Sequence, residues 1–193
     1  MATIQAFGKI ASIYNDLPTK SCWIAGGSMR SFLTGDRVKD IDIFSADPQN
    51  TLDAFKADTR FSKSVENEFI AHFYKDNLRY EVIKKYPFES QRQTIENFDF
   101  TIICAAWGPE GLTVDDRFYV DNAQKRLVVK SLPKPLSSMK RALKYAHKGY
   151  YLCPVNLSKI LRAIQENHID WNAPDQNEID FYPDGTPTFR GLD

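Results

Sequence analysis

Apolar positions along the chain follow two different periods and predict a mixture of strands and helices. Alternation of apolar and polar residues, together with short apolar runs, predicts strands at residues 22–25, 40–44, 69–74 and 78–83. Helical spacing of apolar residues predicts helices at residues 4–14, 29–33, 51–57 and 88–98. The apolar run at 101–107 predicts a buried strand or a short helix, and residues 118–120 and 127–130 are expected to pair as a hairpin.

The pattern changes after Pro133 and Pro135, where only the helical period continues. Apolar residues at i, i+3, i+4 and i+7 predict a helix over residues 138–148, and a second helix is expected over 157–165. We therefore predict an α+β fold in which a mixed sheet is flanked by helices and followed by a small helical segment. The expected division is residues 1–132 for the sheet unit, 133–167 for the helical segment and 168–193 for an acidic, loop-like tail.

Candidate chemistry begins on the predicted strand at residues 40–44. Side chains two positions apart on a strand point to the same face, so Asp40 and Asp42 project together while Ile41 and Ile43 point into a core. Two adjacent carboxylates repel each other unless a cation lies between them. Mg²⁺ is the cation that prefers carboxylate oxygens together with substrate phosphates. An exposed strand that binds nothing is the alternative for an Asp-x-Asp pattern taken alone.

A glycine turn precedes this strand and is suited to binding an anion. Gly26 and Gly27 permit a tight turn that brings N–H groups close to a phosphate, Ser28 adds a hydroxyl, and Arg30 lies nearby. Such a turn is common in proteins without any ligand. Its position just before the paired aspartates is what predicts a metal–triphosphate site.

Two further acids are candidates for the same site. Glu81 lies in the strand predicted at residues 78–83 and joins Asp40 and Asp42 on one face if the two strands are neighbours. Asp99 lies between two phenylalanines and is expected either to contact a nucleotide ribose or to cap a helix. The alternative for Glu81 is an exposed strand glutamate.

The charge of the chain is zero overall but is unevenly distributed. Residues 122–165 contain ten basic residues and no acidic one, whereas residues 166–193 are strongly acidic. Within the basic stretch, Arg141, Lys144 and Lys148 share one face of the predicted helix. This face could contact a triphosphate or a nucleic-acid backbone, and a solvated face that pairs with the acidic tail is the alternative.

The apolar runs, the N-terminal residues and the cysteines argue against a membrane-spanning, secreted or disulfide-bonded protein. No apolar run is long enough to span a membrane, and the N-terminal residues lack the pattern of a signal peptide. Cys22, Cys104 and Cys153 are far apart and form no metal-ligand spacing, so we expect free thiols and a location in the reducing cytoplasm.

These motifs resemble the nucleotidyltransferase superfamily of polymerase-beta type, and within it the head and neck of bacterial CCA-adding tRNA nucleotidyltransferases and their poly(A) polymerase relatives. The family motifs are Gly-Gly-x-x-Arg-Asp, whose last position is Ser31 in this chain, then Leu-x-Gly, Asp-x-Asp, a strand glutamate, Asp-Phe-Thr and a neck pattern of Arg-Ala-x-Arg-Phe-Ala. Similar residues follow in the same order at 26–30, 33–35, 40–42, 81, 99–101 and 141–146.

The resemblance implies an enzyme that moves a nucleoside monophosphate from an NTP, ATP or CTP, to a hydroxyl acceptor and releases pyrophosphate. The acceptor expected from the family is an RNA 3′ end, for example of tRNA, and a protein hydroxyl is the other option. Asp40, Asp42 and Glu81 would bind Mg²⁺ and carry out catalysis. The nucleotide would contact Gly26, Gly27, Ser28, Arg30, Asp99, Arg141 and Lys144.

The resemblance does not imply CCA addition, because no Glu-Asp-x-x-Arg motif, which reads the incoming base in that family, follows in the sequence. Paired arginines that precede the family's Asp-Phe-Thr motif are also replaced here by Asn97 and Phe98. A noncatalytic nucleotide- or RNA-binding regulatory protein, similar to an antitoxin, is therefore the alternative function on the same fold.

Overall fold

The computed structural model describes residues 2–166, 179–181 and 187–189. The strands in these ranges are β1 (Cys22–Ala25), β2 (Asp40–Ser45), β3 (Ser62–Glu66), β4 (Ile70–Lys75), β5 (Leu78–Ile83), β6 (Ala105–Gly108), β7 (Gly111–Val114), β8 (Arg126–Leu127), β9 (Tyr151–Leu152), β10 (Ile179–Phe181) and β11 (Pro187–Phe189). The helices are α1 (Ala2–Asn15), α2 (Gly27–Thr34), α3 (Pro48–Ala57), α4 (Gln91–Glu96), α5 (Phe118–Ala123), α6 (Pro135–Ala146) and α7 (Pro154–Glu166), with a 3-10 helix at Thr101–Ile103.

A mixed sheet of seven strands, in the order β3-β4-β5-β2-β1-β6-β7, forms the centre of the fold. All neighbouring pairs are antiparallel except β2 and β5, which run parallel. A parallel pair needs a crossover connection, and α3 with the β3–β4 hairpin supplies it here. The predicted α+β fold with a mixed sheet flanked by helices is confirmed.

The two faces of the sheet differ in what they bury. On one face Ile41 and Ile43 are fully buried, in an apolar cluster with residues of α1, α2 and α3. On the other face Trp23 and Phe44 pack with Ile95 of α4 in a separate cluster. The alternation along β2 therefore places the aspartates of that strand on the face that carries α4, away from the larger core.

A third apolar cluster joins the sheet region to the two C-terminal helices. Phe100 precedes the 3-10 helix and Ile102 lies within it, and both share this cluster with Tyr145 of α6 and Ile160 of α7. The hydroxyl of Tyr150 donates to Asn122 Oδ1 at 2.7 Å, which adds a buried polar link. The division of the chain near residue 132 remains a prediction.

The hairpin expected from residues 118–120 and 127–130 is wrong. Residues 118–120 begin α5, and β8 pairs in parallel with β9 instead. Buried polar side chains explain the helix: the Asn122 amide donates to the carbonyls of Ile102 and Phe118, and Thr101 donates to the Asp121 carboxylate. These bonds satisfy groups that a strand in this position would leave unpaired.

The prediction of a purely loop-like tail is also wrong, because β10 and β11 pair as a two-stranded antiparallel sheet. Ile179-Asp180-Phe181 alternates apolar and polar residues, a strand pattern that the abundance of Asp, Asn, Pro and Gly in this region outweighed.

Two sheet-edge strands, β3 and β7, were not predicted. Nearly all of β3 is exposed and β7 is only half-buried, so neither has a strong apolar alternation. Among the described residues, no helix is both long and apolar enough to cross a membrane.

Candidate functional site

The predicted convergence of three carboxylates depends on the parallel pairing of β2 with β5. In this register Asp42 lies opposite Glu81, and Asp40 lies opposite Arg79. Tyr80 and Val82 are buried on the other face of β5, so Glu81 lies on the same face as the aspartates. The structure therefore brings Asp40, Asp42 and Glu81 together, as the sequence predicted.

A residue that the sequence analysis missed, Arg79, lies across two of these carboxylates. Its Nη2 atom is 2.8 Å from Asp40 Oδ2 and 2.7 Å from Glu81 Oε1. The signal was present in the sequence, because Arg79 precedes Glu81 by two positions and so shares its face. On the far side of Glu81, His72 of β4 lies in register, with its Nε2 3.6 Å from Glu81 Oε1.

Asp42 is the member of the cluster that Arg79 does not contact. Burial, followed by the negative charges of Glu81 and Asp40, raises the pKa of Asp42 to about 8. Like charges this close favour either a proton or a further cation. The three carboxylates have the donor chemistry that fits Mg²⁺. In this structure, however, Asp40 and Glu81 are engaged by Arg79. Within the described ranges, no group of three or more His, Cys, Asp or Glu side chains is arranged to hold a metal ion.

The glycine turn forms the wall beside Asp42. Gly26 has a φ of +84°, a conformation that glycine adopts at little cost, and its N–H donates to the Ala105 carbonyl at 3.1 Å. A Cβ at this position would lie 3.5 Å from Asp42 Oδ2 and 3.6 Å from Phe98 Cζ. Gly27 and Ser28 begin α2, so the first N–H groups of this helix lie at the site.

A cavity of about 360 Å³ connects these parts. Gly26, Gly27 and Ser28 line it together with Asp40 and Asp42. Its other lining residues include the cations Arg37, Lys39, Arg141, Lys144 and Lys148. The cavity is therefore lined both by the carboxylates of β2 and by a group of positive charges, which suits a metal-bound polyphosphate. Glu81 belongs to the carboxylate cluster but is not among the residues that line this cavity.

Arg30 borders the cavity, but its guanidinium is engaged within the protein. The side chain is 1% exposed and makes an ion pair with Asp36, with 2.5 Å between Nη1 and Oδ2. The guanidinium carbon also lies 5.5 Å and 5.9 Å from the ring centres of Tyr145 and Tyr150. The cation–π contacts thus link α2 to the end of α6, whereas the ion pair joins α2 to the loop that follows it.

Asp99 and Arg141, both predicted to contact the nucleotide, are paired with each other. Arg141 Nε lies 2.6 Å from Asp99 Oδ2, and Asp99 is 2% exposed. Lys144 lies one turn further along α6, is exposed, and acts electrostatically on Asp42. Desolvation and the neighbouring cations Arg30, Lys144 and Lys39 together lower the pKa of Lys148, as expected where positive charges crowd.

Solved structures with a similar fold come from tRNA-processing enzymes. They include the Thermotoga maritima CCA-adding enzyme complexed with tRNA (16% identity, TM-score 0.65, 86% of this chain and 46% of that chain). A CCA-adding enzyme with CTP is similar at 17% identity and a TM-score of 0.65, over 86% of this chain and 46% of that one. A tRNA nucleotidyltransferase with a primer tRNA and an incoming ATP analogue gives 20% identity and a TM-score of 0.58, over 82% and 50% of the two chains.

These likenesses confirm the resemblance to polymerase-beta-type nucleotidyltransferases at the level of the fold. The chain spans about half the length of these structures. A comparison with curated proteins gives no match. A protein family, described as "Gabija anti-defense 2 family protein", matches residues 4–125, which include the glycine turn and all three clustered carboxylates. The chain therefore belongs to the Gabija anti-defense 2 family.

Proposed function

We propose that this protein is a Mg²⁺-dependent nucleotidyltransferase that moves a nucleoside monophosphate from an NTP to a hydroxyl acceptor. One observation carries the proposal: the parallel register of β2 and β5 brings Asp40, Asp42 and Glu81 together. Two members of the cluster, Asp40 and Asp42, line a cavity that also includes the N-terminus of α2 and several cations. This combination of groups is what transfer from a nucleoside triphosphate requires.

Asp40, Asp42 and Glu81 would hold the metal, since they supply the carboxylate oxygens that Mg²⁺ prefers. The position of Asp42, half-buried at the wall of the cavity and beside two like charges, supports this assignment. When bound, Mg²⁺ would orient the triphosphate and offset negative charge that develops during the reaction. Arg79 has to release Asp40 and Glu81 for all three carboxylates to serve together.

The triphosphate would bind along the start of α2. The N–H groups of the first turn of α2, which begins at Gly27, and the Ser28 hydroxyl would donate to phosphate oxygens, and the helix N-terminus favours negative charge there. Gly26, whose own N–H is bonded to the Ala105 carbonyl, would contribute the turn that leaves room for the phosphates. Lys144 and Lys148 of the C-terminal helical region also line the cavity and would contact the phosphates. The proposed nucleotide is ATP or CTP, which the similar solved structures contain.

Arg30, Asp99 and Arg141 are assigned to the wall of the nucleotide cavity. Each is engaged in an ion pair, Arg30 with Asp36 and Asp99 with Arg141. They would act by fixing the position of α6 relative to the glycine turn. Their contribution to nucleotide binding is therefore proposed to be mainly geometric.

The proposed reaction is an in-line substitution at the α-phosphorus. The acceptor hydroxyl oxygen forms a new bond to that phosphorus, and the bond to the bridging oxygen of the β-phosphate breaks. Pyrophosphate leaves with the electron pair of the broken bond. Glu81 would complete the ligand set or accept the proton of the attacking hydroxyl.

The acceptor is proposed to be an RNA 3′ end, with tRNA as the first candidate and a protein hydroxyl as the second. The basic face of α6 favours a polyanionic acceptor, and tRNA is present in similar solved structures. The family description points in addition to the Gabija defence, whose components are therefore acceptors to include in any assay.

The test is transfer of label from each α-³²P-labelled NTP in the presence of Mg²⁺. Total cellular RNA and purified Gabija components serve as acceptors in separate reactions. We expect the wild type to label one acceptor, and Asp42→Asn to lose the signal by about 100-fold or more. Asp53→Asn, an exposed acid on α3, is the matched control and should label normally. Equal labelling by wild type and Asp42→Asn would refute the proposal.

A noncatalytic binding protein on the same fold is the second candidate function, and the position of Arg79 favours it. An arginine that neutralises Asp40 and Glu81 permanently would leave a nucleotide cavity without a metal site. Calorimetry with ATP separates the two functions. A catalyst should bind ATP more tightly with Mg²⁺, and Asp42→Asn should abolish that difference. A noncatalytic protein should bind ATP equally well in all these conditions.

A further inference from the structure

Arg79 occupies the position between the two outer carboxylates of the cluster. Its Nη2 atom contacts Asp40 Oδ2 and Glu81 Oε1 at 2.8 Å and 2.7 Å. The strand register enforces this placement, because Arg79 lies directly opposite Asp40 and two positions before Glu81. The contact is therefore a consequence of the sheet itself and not of a mobile loop.

The hold of Arg79 on the carboxylates is incomplete. One nitrogen, Nη2, bridges both acids, whereas arginine binds carboxylates most strongly through two parallel N–H groups. The Nε atom is buried and makes no hydrogen bond among the described residues. An unsatisfied buried donor raises the energy of this arrangement. The side chain is 36% exposed, so part of it already contacts solvent.

The charges also do not balance. A guanidinium supplies one positive charge to a cluster of three carboxylates, and Asp42 is left without a contact to it. A divalent ion placed among the same oxygens would supply two charges and could bind all three acids. Asp40 and Glu81 thus face two possible cationic partners, one internal and one from solution.

We infer that Arg79 is an internal counter-ion that competes with a divalent metal ion for Asp40 and Glu81. The inference rests on the proposed function, because it assumes that these carboxylates are metal ligands. Metal binding then requires Arg79 to move away from the cluster. The nucleotide-free protein should accordingly bind divalent ions weakly, and removal of Arg79 should strengthen that binding.

The test measures Mn²⁺ binding to the full-length, nucleotide-free protein from the electron paramagnetic resonance signal of free Mn²⁺. We expect Arg79→Gln to bind Mn²⁺ about tenfold more tightly than the wild type, since a competing charge has been removed. Lys85→Gln is the matched control, because it removes one charge two residues beyond the end of the same strand, where Lys85 is exposed and lies over Phe69. It should bind Mn²⁺ as the wild type does.

A charge-retaining variant distinguishes loss of the competing charge from a folding defect. Arg79→Lys keeps a cation on β5 and should bind Mn²⁺ with an affinity between those of the wild type and Arg79→Gln. Thermal melts verify that each variant is folded. Adding Asp42→Asn to Arg79→Gln should remove the gain, which assigns the bound ion to the carboxylate cluster.

Mn²⁺ binding distinguishes failure of the inference about Arg79 from failure of the proposed function. If Arg79→Gln binds Mn²⁺ no more tightly than the wild type, Arg79 is not a competitor, and the proposed nucleotidyl transfer is unaffected. If no variant binds Mn²⁺, with or without ATP, the metal-dependent function fails and the inference fails with it.

Discussion

Asp99 and Arg141 form an ion pair that joins the loop before the 3-10 helix to α6. Arg141 Nε is 2.6 Å from Asp99 Oδ2, and Asp99 is almost completely buried, whereas the Arg141 side chain is 41% exposed. A backbone bond fixes Asp99 from another direction, because the Lys130 N–H, in the segment before α6, donates to the Asp99 carbonyl at 2.8 Å. The pair therefore fixes one wall of the cavity.

Arg141→Ala should lower the free energy of unfolding by about 1–3 kcal/mol, because it leaves the buried carboxylate of Asp99 unpaired. Urea unfolding measures the loss. Arg162→Ala, an exposed arginine on α7, is the control and should change the stability little. The double variant Arg141→Ala with Asp99→Asn should recover part of the loss. A loss no larger than that of the control would contradict the structural role of the pair.

Asp36 gives a prediction about pH, because Arg30 holds the pKa of this carboxyl below its usual value of 3.8. A depressed pKa contributes stability that is present above 3.8 and is lost as the pH falls through the folded-state pKa. The wild type should therefore be more stable than Asp36→Asn at neutral pH, and the difference should shrink on acidification.

Thermal unfolding between neutral and acidic pH tests this prediction about Asp36. Asp53→Asn controls for the loss of a carboxyl at an exposed site, where the acid accepts a bond from Gln49. A difference between wild type and Asp36→Asn that stays constant over the whole pH range would show that the ion pair with Arg30 does not stabilise the fold.

Gly26 and Gly149 allow backbone strain to be separated from damage to the cavity. Both have positive φ angles, +84° and +81°, and Gly26 also has a ψ of −138°, which lies outside the left-handed helical region. An alanine at either position should therefore cost about 1–3 kcal/mol of stability. A Cβ at Gly26 would lie 3.5 Å from Asp42 Oδ2, whereas nothing lies within 4 Å of one at Gly149. Only Gly26→Ala should therefore weaken ATP binding.

Calorimetric titration with Mg²⁺-ATP, together with thermal melts, measures both effects of the glycine substitutions. Gly149→Ala serves as the strain control. Equal ATP affinity in the two variants would mean that the glycine turn does not contact the nucleotide, even if the predicted losses of stability are observed.

Lys144 should attract phosphates mainly through its charge, since it lines the cavity and remains exposed. Lys144→Ala should raise the dissociation constant for ATP about three- to tenfold at low salt. The effect should shrink at about 0.5 M salt, where exposed charges are screened. Lys159→Ala on α7 removes an exposed lysine elsewhere and should leave the constant unchanged. A salt-independent effect of Lys144→Ala would argue against an electrostatic role.

Local patterns were sufficient to predict the strands that carry the site. The β1 range was predicted to the residue, and the alternation in β2 placed Asp40 and Asp42 on one face with Ile41 and Ile43 in the core. These features depend on the pleat of a single strand, so they can be read from neighbouring residues. The fold class followed in the same way from the order of the predicted elements.

The ion-pair and ring partners of the site residues could not be predicted from their neighbours in the sequence. Arg30 is engaged by a residue six positions later and by two tyrosines of a distant segment, and Arg79 meets Asp40 only through the pairing of β2 with β5. Which cation faces which carboxylate is decided by register and packing between separate elements. Motif matching assigned Arg30 and Asp99 to the nucleotide because it contains no information about competing partners within the protein.

The parallel pairing of β2 with β5 determines when the carboxylate cluster can form during synthesis on the ribosome. The strand that carries Asp40 and Asp42 is made first, and α3, β3 and β4 all follow before the strand that carries Glu81. A parallel partner strand can pair with β2 only after the intervening segment has emerged from the ribosome and turned back. Until then Asp40 and Asp42 have no glutamate beside them. A growing chain that stops at Asp76 contains the Asp-x-Asp motif intact and yet has no carboxylate cluster.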